Sequence, residues 1–83
     1  MKINAKIKFT NLNDNECRIG FVVANSVEFQ TVIFPASYIP QILYTLEVHS
    51  YEELKRKFCR IEVEKGYVIS IGNIIEDRWF YLC

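Results

Sequence analysis

The run of residues 58–71 constrains this chain most. Cys59, Ile61 and Val63 alternate with Arg60, Glu62 and Glu64. A period of two is what an extended strand with one buried face requires. Lys65-Gly66 comes next, and Gly takes positive φ without a Cβ clash, so the chain is expected to turn back as a hairpin. Tyr67, Ile69 and Ile71 then alternate with Val68, Ser70 and Gly72. Both faces of that strand are apolar, which suits the middle of a sheet. Gly72-Asn73 marks a bulge or a close backbone approach. Glu76-Asp77 makes a polar corner, and residues 78–82 return as a short aromatic strand.

The segment before the hairpin opens with Ser50 and Glu53, the spacing of a capping box. Residues 51–57 then read as a helical turn with its acids first and its bases last, complementing the helix dipole. So short a turn survives by docking Leu54 and Phe58 into a core. At the other end of the chain, Ile3, Ala5, Ile7 and Phe9 alternate with Lys2, Asn4, Lys6 and Lys8. The first set is expected to face the core. The lysine row reads as protection of an edge strand, as plain solvation, or as an anion-attracting surface. Residues 11–15 form a turn cluster. Cys17, Ile19, Phe21 and Val23 face one way along a second strand. After a turn at Ala24-Asn25-Ser26, Val27, Phe29, Thr31 and Ile33 continue a third strand, with Glu28 and Gln30 opposite. Short links make these three strands an antiparallel meander.

Pro35 ends the third strand, Ser37 is placed to cap a helix, and Pro40 falls in its first turn. Ile39, Ile42, Leu43 and Leu46 then recur at the spacing of one buried helix face. The expected architecture is α+β, β-β-β-α-α-β-β-β in a single domain of 83 residues. About six strands form one antiparallel sheet, strongly bent or split, with one main helix packed on it.

Ten basic and ten acidic residues cancel. A duplex nucleic-acid partner calls for a basic excess, so none is expected, although a local basic patch is compatible with this balance. Apolar residues make up 51% and aromatic residues 14% of the chain. A body this small cannot hide so much apolar surface, which points to a homo-oligomer or a partner-binding face. Cys17, Cys59 and Cys83 are dispersed and odd in number, and His49 is the sole histidine. Reduced cytosolic thiols are expected, with Cys83 exposed and incidental, and with no metal and no cofactor. The chain contains no apolar run long enough to span a bilayer.

No nucleophile, base and orienting group recur at usable spacing, and the three glycines are scattered, so no enzyme is expected. A salt bridge from Arg60 accounts for Glu62 and Glu64. Binding chemistry is what the chain carries: five tyrosines, one tryptophan and the arginine forks of Arg18, Arg60 and Arg78. These suit a base-and-phosphate ligand and suit a protein interface equally well. Trp79 has two readings, a core plug beside the helix with its NH on a carbonyl, or part of a binding surface.

Residues 42–80 resemble a family of small phage and prophage accessory proteins. In that family a helix ending V-x-S-W-E-D-L-K-G-K is followed by two strands and an I-G-N/H-I-I-x-D-x-W-F ending. Here Val48-His49-Ser50-Tyr51-Glu52-Glu53-Leu54-Lys55 and Ile71-Gly72-Asn73-Ile74-Ile75-Glu76-Asp77-Arg78-Trp79-Phe80 carry the likeness. Tyr51 stands in place of the tryptophan and Arg56 in place of the glycine. A glycine-rich loop before the helix is replaced by Phe29-Gln30-Thr31-Val32-Ile33-Phe34-Pro35. The resemblance implies a phage counter-defence protein in the host cytoplasm. It would be an oligomeric sponge for a nucleotide-type immune signal or, alternatively, a direct inhibitor of a bacterial defence protein. Arg60, Asn73, Arg78 and Trp79 are the candidate ligand residues. On this reading Arg78→Ala weakens binding and leaves thermal stability nearly unchanged.

Overall fold

A computed structural model describes residues 1–82; the reading of Cys83 lies outside the described residues. Six strands form: β1 (Lys2–Leu12), β2 (Glu16–Val23), β3 (Phe29–Pro35), β4 (Phe58–Glu64), β5 (Tyr67–Gly72) and β6 (Trp79–Tyr81). They make one antiparallel sheet in the order β3-β2-β1-β4-β5-β6. The expected meander and hairpin are both present. At the hairpin, Lys65 and Gly66 have φ of 53° and 84°, the positive pair that a two-residue turn demands.

Helix is scarcer than the sequence suggests. The one α-helix among the described residues, α1 (Ile39–Leu46), has 8 residues, and Tyr51–Leu54 is a single 3-10 turn. Ser37 does not cap α1. A 3-10 turn, Ala36–Tyr38, runs straight into the helix, and the cap position falls to Tyr38 with helical φ and ψ. An N-cap side chain acts from a non-helical residue, and there is none at this junction. The sheet curls around α1, whose Ile42 and Leu46 share one buried core with Ile7, Ile19, Phe21, Ile61 and Ile71. Each such side chain contributes roughly 1.5–3 kcal/mol on burial.

Two breaks in strict alternation and one inverted face decide which side chains reach the core. In β1, Ile7 pairs with Phe21 but Phe9 pairs with Gly20, so Lys8 is an extra residue in a bulge. A one-residue insertion reverses the parity beyond it. Phe9 therefore leaves the core face expected for it and stacks on Phe29 at 5.7 Å above Gly20. In β3 the expected face is inverted as well. Phe34 is buried and Val32 packs on the core, whereas Phe29 and Ile33 are each 48% exposed. Both parities of this strand are apolar, and pairing of Val22 with Phe29 chooses between them. In β5 the pairing runs Glu62 with Ser70 and Val63 with Val68, skipping Ile69. Val68 and Ile71 thus both reach the core, and Ser70 is buried on the other face, donating to Glu62 Oε1 at 3.1 Å.

Candidate functional site

The structure gathers Arg60, Asn73, Arg78 and Trp79 into one corner, between the sheet and the end of α1. The last carbonyls of a helix have no partner within it. Asn73 Nδ2 donates to Thr45 O at 3.0 Å, and Arg78 Nη1 donates to Tyr44 O at 2.9 Å. The guanidinium also complements the negative end of the helix dipole. Asn73 Oδ1 accepts from the backbone N–H of Ile75 and Glu76, which folds the corner into an Asx turn. Arg78 Nη2 meets Glu76 Oε2 at 2.7 Å and Glu47 Oε1 at 3.4 Å. Arg60 does not bridge to Glu62 or Glu64; its Nε and Nη2 donate to Asn73 O and Glu76 O at 2.8 and 2.9 Å. Asn73 and Arg78 spend their hydrogen bonds on tying the corner loop to the helix, and Arg60 on tying it to β4.

Trp79 belongs to the sheet surface and not to the core. Its ring lies over Gly72, where a Cβ would stand 2.6 Å away. Its Nε1 donates to the Asp77 carboxylate at 2.9 Å, not to a carbonyl. Arg60 Cζ and Lys2 Nζ sit 4.9 and 4.7 Å from the ring centroid, which is cation–π range.

A second location has the geometry of a receptor. A groove of about 710 Å³ opens where β1, the end of β2 and residues 55–58 meet. Lys6, Lys8, Lys55 and Arg56 border it together with Phe9 and Phe58, and no acidic residue does. In a chain with zero net charge that is a local segregation of cations, which raises the concentration of anions in the groove.

Backbone pairing builds this groove. Arg56 adopts φ 72°, and its N–H donates to Ile7 O at 2.8 Å while Ile7 N–H donates to Lys57 O at 2.9 Å. That register places Phe58 opposite Lys6. Leu54 is buried as expected, but Phe58 turns outward and is 57% exposed, with Lys6 Nζ 5.2 Å above its ring. β1 is hydrogen-bonded on both sides, so its lysine row does not protect an edge. All four of the groove's cations are legible in the sequence, as a lysine row and a basic turn end. Nothing local indicated that they converge.

Among the described residues, no group of three His, Cys, Asp or Glu side chains could hold a metal ion. No helix among them is long and apolar enough to cross a membrane. No protein-family model, curated protein or solved structure matches this chain.

Proposed function

We propose that the protein is a non-enzymatic binder that sequesters a nucleotide-type immune signal, as a phage counter-defence protein in the host cytoplasm. One observation carries this reading: the groove combines four cations with two phenylalanine rings and excludes carboxylates. Cations meet phosphate, and an exposed ring such as Phe58 offers a stacking surface to a base. The phosphate-binding site moves from the Arg60, Asn73 and Arg78 corner to the groove, because the hydrogen-bonding groups of those three already have partners; the Trp79 ring face stays outside that network. A homo-oligomer fits the apolar outer face around Phe29 and Ile33, each left 48% exposed in the monomer.

Isothermal calorimetry with cyclic dinucleotides and ADP-ribose-type compounds tests the reading. Stoichiometric binding, with the ligand recovered chemically intact, is the expected result. Lys8→Ala and Arg56→Ala are each expected to weaken it several-fold, as loss of one charge contact at a surface implies. Absence of heat with every nucleotide would overturn it. Direct inhibition of a defence protein is the second reading, favoured by the exposed Val27, Phe29 and Ile33. Its signature is loss of defence-protein inhibition on Phe29→Ser, with no dependence on Lys8.

A further inference from the structure

We infer that the ligand spans at least two nucleotides, a short single-stranded run laid over the sheet face opposite α1, from the groove to Trp79. This rests on the nucleotide reading of the groove and names the class of ligand. Side chains paired directly across antiparallel strands share a face. Phe58 and Lys6 are such a pair. Two residues along, Asn4, Arg60, Gly72 and Trp79 form the next row of the same face. Lys2 follows on β1. From the strand spacing and rise, Phe58 and Trp79 stand about 12 Å apart.

Each ring has its own cation. Lys6 lies over Phe58, and Lys2 and Arg60 flank Trp79. Neither Lys2 nor Lys6 pairs with a carboxylate among the described residues. A ring beside a cation, repeated along a sheet, is how single strands are held, each base stacking while its phosphate meets the charge. One base stacks on one platform, so filling both takes two. The flexible Lys2 ammonium can slide from the indole to a phosphate when a base arrives. Glu62, hydrogen-bonded to Ser70, limits the track beyond the Trp79 row. A duplex hides its base faces and gains nothing from these rings.

Trp79 is the only tryptophan, so its fluorescence reports on that end of the track alone. The protein is titrated with thymidine monophosphate, oligo-dT of four and eight units, and a duplex of eight base pairs, with calorimetry in parallel. The oligomers are expected to quench Trp79 and to bind at least ten-fold more tightly than the monophosphate. Phe58→Ala, at an exposed position, is expected to weaken the oligomers about 5- to 100-fold, as loss of one stacked base does. Three results overturn the inference while leaving the groove reading intact: a monophosphate that binds as tightly as the oligomers, an unmoved Trp79 signal, or equal affinity for duplex. Oligomer binding that ignores Phe58→Ala and Lys6→Ala would overturn it too. If no nucleotide of any length binds, the groove reading falls first.

Discussion

Asn73 is 6% exposed and makes three hydrogen bonds, one of them to an otherwise unpaired helix carbonyl. Asn73→Ala is therefore expected to cost about 2 kcal/mol, because partners left unsatisfied cost more than an average hydrogen bond is worth. Urea unfolding should show a lower midpoint at an unchanged slope. Arg78→Ala, judged neutral for stability from the sequence, is expected to cost about 1 kcal/mol. Its guanidinium holds Tyr44 O and two carboxylates, although partial exposure discounts the ion pairs. Gly72→Ala would drive a methyl into the indole and should shift Trp79 emission while lowering stability by roughly 1–3 kcal/mol.

The buried cysteines set an alkaline limit at the same scale. Burial pushes the Cys59 thiol up to about 12 from an ordinary 9.0. Burial raises Cys17 too, offset in part by a hydrogen bond with Tyr51. The unfolded chain loses these protons near pH 9 while the folded chain keeps them. Stability is thus intact below about pH 9 and declines above it, towards pH 12 for Cys59, by up to about 1.4 kcal/mol per pH unit and thiol. A melting series from pH 8 to 11 should show this fall, and Cys59→Ala should flatten it.

At the scale of elements, α1 is too short to persist alone and is held at its C-terminal end by side chains 28 and 34 positions away in sequence. It is expected to open together with the corner between β5 and β6. In Asn73→Ala, hydrogen exchange at Ile42–Leu46 amides should accelerate while β1–β2 amides stay protected. The turn at Tyr51–Leu54 is anchored differently. Glu53 Oε2 accepts from the N–H groups of His49 and Ser50 at 2.6 and 3.2 Å. These bonds, His49 first, hold its pKa below 4.5, so this anchor is present above that pH and is lost as pH falls through the lowered value. The Lys8 bulge is the most consequential element detail. Deleting Lys8 would close the bulge into regular pairing, with Ile7 still opposite Phe21 and Phe9 still opposite Gly20. The protein should still fold, read by an intact melting transition, while β1 loses its local bend and the groove one cation.

For the whole molecule, the deciding contacts are non-local. β1 pairs with both β2 and β4, the second across more than half of the chain. Folding is expected on the millisecond-to-second scale of sheet proteins with distant pairings, followed by stopped-flow Trp79 fluorescence. The exposed apolar face predicts a particle larger than 9.8 kDa by light scattering, and a monomer at all concentrations would remove the oligomer from the proposed function.

Alternation along β1, β2 and β4, the turns at Asn13 and Lys65-Gly66, and the Ile39–Leu46 stripe were all readable in the sequence. Each reflects local sterics or the period at which one face meets water. What only tertiary structure decided was which face Phe9, Phe29 and Phe58 occupy, because bulges and strand register reverse parity without any change in composition. It also decided that Asn73 and Arg78 hold the end of a helix while Arg60 holds their loop, and that Lys6, Lys8, Lys55 and Arg56 surround one groove. Those groups meet through hydrogen bonds and pairings between distant segments, and no local periodicity encodes such a meeting.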